Sequence, residues 1–248
     1  MLKDIEKDKY LQKLKDDTSF SRSDLLEAMN SCGIEISDAS FKVELQQLLN
    51  SGAIARVGRN AYCVAEQGAN LYHYDYSQKA EELADVIMEN HPYLNFTIME
   101  LRQLNEFTNH QFAHNVYFVA VENDLGEFVF DTLKSRYPGM VLINPTPDIY
   151  HQYWYDDMIV IQKLVTEAPM GQKKGWHTRI EKLLVDIMAD KILCSSISHA
   201  EYPEIFTDAF GKYIIDESCM FRYAKRRGAS DRMRRFIAYE TGIRLRLG

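Results

Sequence analysis

Several common chemistries are excluded by what this 248-residue chain lacks. Its four cysteines, Cys32, Cys63, Cys194 and Cys219, are widely spread with no CxxC pair, so a thiolate zinc site or a dithiol redox motif is not expected and reduced, mostly buried thiols are. The twelve glycines are scattered as well, with no GxGxxG and no GKS or GKT, which removes the dinucleotide fingerprint and the P-loop. No stretch of 18 consecutive apolar residues occurs, so no membrane-spanning helix is expected. The opening MLKDIEKDKYLQKLK is a charged helix rather than a signal peptide, which favours a cytoplasmic location and no membrane partner. Internal repeats and low-complexity tracts are missing too. What remains, 46% hydrophobic and 26% charged, is the composition of a globular protein of one or two domains with ample length for a core.

The segment SDASFKVELQQLLNSGAIARVGRNAYCV (37–64) carries most of the functional reading. Phe41, Leu45, Leu48 and Leu49 recur at helical spacing and predict one apolar stripe, with Ser37 and Asp38 as N-cap types and Gly52 as the stop. Opposite the stripe lie Ala39, Ser40, Val43, Gln46, Gln47 and Asn50, small or amide side chains of the kind that meet base edges. Upstream, SRSDLLEAMNSCG predicts a shorter helix, capped near Ser21 or Ser23 and ended by Gly33, with only Ile34 to Ser37 as the connecting turn. Downstream, Ala53–Val57 and Ala61–Val64 are β-prone runs joined by Gly58-Arg59-Asn60, a hairpin that would carry Arg56 and Arg59 near its tip. In this order the elements predict a winged helix-turn-helix. Ser37, Ser40, Val43, Gln46 and Gln47 would face the major groove with Lys42 flanking. Arg56, Arg59 and Asn60 would anchor phosphates or the minor groove.

Charge complicates the picture. Residues 1–75 hold nine Lys and Arg against twelve Asp and Glu, so this is no generic basic clamp, and affinity should depend on fit. The far end is the opposite: residues 222–248 carry a balance of +7 in a chain whose total is −7. Arg222, Lys225, Arg226, Arg227, Arg232, Arg234 and Arg235 lead that run, joined by Arg244 and Arg246. A solvated helical face balancing an acidic body is one reading; a second DNA contact or a docking surface for an acidic partner is the other.

A boundary is expected near residues 65–77, giving a DNA-binding domain over 1–70 and a second domain over 77–248. The second domain reads as SQKAEELADVIMENHP, a helix with Ala80, Leu83, Ala84 and Ile87 inward; LNFTIME, a strand; and LRQLNEF, a short helix. The apolar run NVYFVAV predicts a strand buried on both faces, EFVFDTLKSRY a helix, MVLIN another buried strand and MIVIQKL a further one. Strand, helix, strand at that spacing is a βαβ unit in a small mixed or parallel sheet. Thr178-Arg179-Ile180-Glu181 reads as a capping box before a stripe of Ile180, Leu183, Leu184, Ile187, Met188 and Ile192. Helices near 200–212, 216–227 and 229–242 follow. The fold class is α/β (α+β): a winged helix, then a mixed α/β domain with a helical C-terminal layer.

LLNSGAIARVGRNAYCV, and TRIEKLLVDIMADKIL through FRYAKRR, resemble the helix-into-wing and helical C-terminal regions of the AbiE-type antitoxins, bacterial regulators encoded beside a nucleotidyltransferase-like toxin. The order of domains matches and the likeness covers most of the chain. Where that family commonly ends the wing in Gly this chain has Asn60, which also tolerates positive φ. The resemblance implies a DNA-binding autorepressor that recognises inverted repeats in its own promoter and counters the toxin without requiring a stable complex with it. No cofactor, no metal and no enzyme activity are expected from the residues.

Two rival readings stand beside it. One is a winged-helix regulator whose second domain senses a ligand and which has no toxin partner. The other is a metal-dependent nuclease using Glu122, Asp124, Asp156, Asp157 and Lys163, although Gln162 stands where the spacing asks for a carboxylate. His110 and His114 are at i, i+4 but lack a third ligand nearby, and Cys194-Ser195-Ser196 with His199 lacks a nucleophile elbow. The aromatic HQYWYDD (151–157) reads as core, domain interface or partner surface.

Overall fold

The computed structural model describes residues 2–15, 17, 19–65, 71–122, 125–171 and 174–246. Residues 66–70 of the expected boundary, and Asn123 and Asp124 of the nuclease reading, lie outside the described residues. The chain forms two compact units. The first comprises residues 1–71, 210–219 and 244–248, and the second 72–209 and 220–243. Two C-terminal segments that the sequence assigns to the second domain therefore pack in the first.

Unit 1 begins with three helices, α1 (Leu2–Lys13), α2 (Arg22–Asn30) and α3 (Asp38–Asn50), and a hairpin of β1 (Ile54–Gly58) and β2 (Ala61–Val64). Ser21 caps α2 in a reciprocal capping box with Asp24, and the Ser37 hydroxyl accepts from the Ser40 N–H to cap α3. Both helices end alike. Gly33 and Gly52 take φ of +79° and +71°, which lets the Ile34 and Ala53 N–H groups reach back to the Met29 and Leu48 carbonyls. Tyr10, Leu11, Leu25, Met29, Phe41, Leu45, Leu48, Ile54 and Tyr62 share one core, so the three helices and the hairpin are packed on each other. Phe20 adds a bridge to Tyr62 just before α2.

Unit 2 is built on a four-stranded mixed sheet of order β3-β4-β6-β5, where β3 is Phe96–Glu100, β4 Val116–Val121, β5 Val141–Ile143 and β6 Met158–Lys163. β3 runs antiparallel to β4, while β4, β6 and β5 are parallel. Every residue of β4 is buried, as a continuous apolar run requires of a strand covered on both faces. α4 (Gln78–Asn90) and α5 (Gly126–Arg136) cover one face, with Ala80, Leu83, Ala84, Ile87, Val129 and Leu133 packed on Ile98, Val119 and Ile161. The short α6 (Pro147–Tyr153), not anticipated in the sequence, sets Tyr150 against Phe118 on the opposite face. β5 departs from expectation. It is an edge strand in which only Val141 is buried, because β6 and not β5 lies beside β4.

The C-terminal helices are α7 (Ile180–Ala189), α8 (Lys191–Ser196), α9 (Tyr202–Lys212), α10 (Glu217–Arg226) and α11 (Ser230–Glu240), with the division between units falling inside α9 and α10. The expected capping box at Thr178 does not form. Thr178 donates instead to the buried Ile98 carbonyl at 2.8 Å, and Arg179 stands at the cap position with its guanidinium donating to Glu181 at 2.7 Å rather than capping the helix. Nor is α7 a one-stripe helix: Ile180 through Met188 are all buried, Glu181, Lys182 and Asp186 included, and Ile192 belongs to α8. No helix among the described residues is long and apolar enough to cross a membrane.

Candidate functional site

In α3 the apolar stripe is consumed by the core, which leaves the opposite face outward. Ser37, Ser40, Lys42, Val43, Gln46 and Gln47 are all exposed, together with Asp38, Ala39 and Asn50. Val43, 58% exposed, adds an apolar side chain to that polar face. The Ser37 hydroxyl is occupied at the cap and lies 3.0 Å from the Ser40 hydroxyl, so Ser40 is the better placed of the two to reach outward. Gln46 donates to Asn50 at 2.9 Å, one turn further on. Glu44, the acid in the middle of the helix, is turned away from this face. It accepts from the Tyr10 hydroxyl at 3.1 Å, and burial followed by the Glu44 charge pushes the Tyr10 pKa up. The outward face therefore combines amide, hydroxyl, methyl and one ammonium group, with Asp38 as its acid in the first turn.

The hairpin follows at once, with Arg56 and Arg59 exposed and Asn60 in the left-handed region at φ 54°. Asn accepts that conformation at low cost, so the expected turn forms without the glycine. Its side-chain carbonyl is engaged, accepting from the Arg22 N–H at 3.3 Å, which ties the tip to the start of α2. Arg22, which the sequence reading did not single out, is exposed there and donates through Nε to the Tyr62 hydroxyl.

The second face of the hairpin is covered by the C-terminal segments of unit 1. Ala55, Val57, Ala61 and Cys63 pack on Ile214, and the Arg59 N–H donates to the Ser218 hydroxyl at 3.0 Å. Arg246 donates from its guanidinium to Cys63 Sγ at 3.0 Å and from its backbone to Glu217 at 2.8 Å. The hairpin is thus clamped, and Arg246 joins Arg56 and Arg59 in one unit although almost 200 residues separate them in sequence. No local pattern could have placed it there. Ser218→Ala is expected to leave the fold intact, costing under about 1 kcal/mol for one exposed bond. It should raise the hydrogen-exchange rate of the Arg59 amide, and unchanged exchange would show the clamp to be dispensable.

The C-terminal basic run is divided rather than gathered. Arg222 and Arg226 pair with Glu167 at 3.1 and 2.8 Å. Arg227 is largely buried against Asp186 and Asp190; burial works against its charge, but the two carboxylates outweigh that and raise its pKa. Arg234 lies over the Phe221 ring at 3.9 Å, Arg232 donates to the Met188 carbonyl and Arg235 to that of Asp231. Lys225, Arg222 and Arg226 are exposed. Much of this charge is used inside unit 2, as a solvated and internally paired helical face would be.

The remaining candidate groups are not brought together. Glu122 follows β4 at its carboxyl end, whereas Asp156 and Asp157 precede β6, whose Met158 is level with Val116 at the other end of the parallel pair. Roughly 17 Å of strand separates them, too far to share a metal ion. Each has its own partner: Asn95 for Glu122, the Asn115 N–H for Asp156 and Lys79 for Asp157. His110 and His114 also part, to Glu201 at 2.6 Å and Asp156 at 3.4 Å. Cys194 donates to the Ile187 carbonyl, burial raises its thiol pKa, and His199 stacks edge-on against Tyr202. Of HQYWYDD, Tyr153 and Trp154 are exposed, whereas Tyr150 just before it is core.

No curated protein matches the chain. Among solved structures it is similar to the crystal structure of RV2827C protein from Mycobacterium tuberculosis, at 12% identity over 94% of this chain and 81% of that one, with a TM-score of 0.23. At that score the likeness carries no argument. Residues 40–242, from inside α3 to just beyond α11, match the family described as a family of unknown function (DUF6577), and the chain belongs to it.

Proposed function

We propose that unit 1 is a winged helix-turn-helix that binds double-stranded DNA, with α3 in the major groove and the β1–β2 hairpin as the wing. One observation carries the reading. The outward face of α3 is exposed and composed of Ser40, Lys42, Val43, Gln46 and Gln47, while an arginine-bearing hairpin packed on the same core follows it directly. Paired amide contacts suit adenine edges, a serine accepts or donates, and the Val43 methyls suit the thymine methyl. Arg56 and Arg59 supply phosphate or minor-groove contact, and Arg22 at the start of α2 is positioned to add another. The acidic balance of residues 1–75 makes non-specific binding weak, which favours a protein that acts at one site.

The fuller reading follows from the resemblance to AbiE-type antitoxins. The chain is a transcriptional autorepressor of its own promoter, acting at inverted repeats, and the antitoxin of an operon whose toxin is nucleotidyltransferase-like. Unit 2 would counter the toxin without a stable complex. A reporter driven by the gene's own upstream region tests the regulatory half. Co-expression of the protein is expected to lower reporter output, and Gln46→Ala/Gln47→Ala is expected to relieve it. Output unaffected by the wild-type protein would contradict autorepression.

A further inference from the structure

A cleft of about 380 Å³, wholly within unit 2, runs beside α11 where that helix passes the end of α7 and the turn that leads from α8 into α9. The sequence of α11 accounts for its lining. Met233, Phe236 and Ile237 are buried and fix which side of the helix faces the body of the unit. Arg232, Phe236 and Glu240 then fall on one ridge at i, i+4 and i+8, with Arg235 and Tyr239 on the next, and both ridges border the cleft. At the helical rise per residue, Arg232 and Glu240 stand about 12 Å apart along the axis. The cleft is therefore cationic at one end and acidic at the other, with rings between.

Neither cation at that end has a carboxylate partner among the described residues; both bond only to backbone carbonyls. Arg232 donates one arm of its guanidinium to the Met188 carbonyl, one of the last of α7, which fixes the side chain at the cleft. Arg235 is exposed, and its Nε donates to the Asp231 carbonyl one turn back, which leaves its two terminal nitrogens without a protein acceptor. Two guanidinium groups against the Glu240 carboxylate give the lining a single net positive charge. The walls are aromatic. Phe236 is held edge-on by Tyr202 and Phe206, at ring-centroid separations of 6.3 and 5.1 Å, and Tyr239, 85% exposed, stands at the rim. The volume falls within the roughly 300–1,000 Å³ of small-molecule sites.

We propose that this cleft binds a small aromatic carboxylic acid, its carboxylate held by Arg232 and Arg235 and its ring against Phe236 and Tyr239. A guanidinium fork matches a planar carboxylate with two parallel bonds. A monoanion also balances the net charge of the lining, whereas a phosphate, close to a dianion near neutrality, would exceed it. An aromatic amine would meet Glu240 alone and leave both guanidinium groups unanswered. The inference stands on unit 2 alone and does not rest on the DNA-binding reading.

Isothermal titration of the full chain with cinnamate, without DNA and at fixed ionic strength, tests it. One saturable site is expected in the wild type, with cinnamyl alcohol, the neutral analogue, bound about tenfold more weakly. Arg235→Gln should raise the dissociation constant for cinnamate about tenfold and leave that for the alcohol unchanged. Tyr239→Ala should weaken both ligands about threefold, because a stacking ring is lost. Both side chains are exposed, so both variants should fold. Lys225→Gln removes a positive charge outside the lining and should bind as the wild type does. No saturable heat with cinnamate would overturn the proposal. So would acid and alcohol bound alike, cinnamylamine bound more tightly than the acid, an Arg235→Gln variant that binds unchanged, or a Lys225→Gln loss equal to its own.

Discussion

Replacing Arg56 and Arg59 together by alanine is expected to weaken binding of the upstream duplex by about a hundredfold, as two charge-assisted contacts of about 1.5 kcal/mol each are lost. The dependence of log K on log salt should flatten at the same time, by about 1.8, because each phosphate contact releases close to one condensed counterion. These two effects together identify phosphate anchors. Loss of a base contact would lower affinity and specificity while leaving the salt slope nearly as it was, and that is the pattern expected of Gln46→Ala/Gln47→Ala. Neither arginine supports the core. Both are exposed, and the Arg56 Nε bond runs only to the Gly58 carbonyl two residues away. The double variant should therefore unfold within about 0.5 kcal/mol of the wild type. Fluorescence anisotropy at several salt concentrations, with a urea melt of each variant, separates these outcomes. An unchanged slope would reduce both arginines to solvated surface.

The second large effect concerns stability. Along the buried α7, Lys182 and Asp186 form an ion pair at 2.5 Å, with side chains only 5% and 8% exposed. Asp186 also accepts from the Tyr223 hydroxyl at 2.8 Å and faces Arg227 at 3.5 Å. Burial, then the Asp186 charge, drives the Tyr223 pKa far up, so the phenol stays a donor. With Asp190 the cluster holds two cations and two carboxylates, which is what allows four charges to be tolerated there. Asp186→Ala removes one of the two carboxylates and leaves Lys182 buried beside Arg227. It is expected to destabilise unit 2 by about 3–5 kcal/mol, read as a lower urea midpoint at an unchanged slope. Adding Lys182→Met should recover part of the loss by removing the stranded ammonium. A cost below about 1 kcal/mol for Asp186→Ala would mean that the cluster is open to water.

How far the sequence could be read follows the range of the interactions involved. Phe41, Leu45 and Leu48 repeat at helical spacing because one short helix must bury one face, and Ser37 and Gly52 mark its ends for equally local reasons. The outward face of α3 is the complement of that stripe, so its exposed residues were legible with it. β4 and β6 were legible because a strand buried on both faces has no polar alternation. Most of the misreadings involve partners distant in the chain; α6 is the exception, since its Thr146 cap and Pro147 at the first helical position are local signals. Nothing near MVLIN says that β6 will insert between β4 and β5 and leave β5 at the edge. Thr178 carries the residue pattern of a capping box, and only the buried Ile98 carbonyl, 80 residues away, explains its other use. Ser218, Glu217 and Arg246 come to the hairpin by a return of the chain that no periodicity records. The basic run at 222–246 was visible as charge, but whether each guanidinium meets solvent, Glu167 or a buried carboxylate depends on tertiary packing.

Titration of the protein against a fluorescent duplex from its own upstream region, beside a scrambled duplex of equal length and composition, tests the central claim most directly. Saturable binding to the upstream duplex, with far weaker and more salt-sensitive binding to the scrambled one, is the result expected if α3 reads base edges and the hairpin holds phosphates. Equal weak binding to both, or no binding to either, would contradict the claim and make the exposed face of α3 a surface for a partner other than DNA.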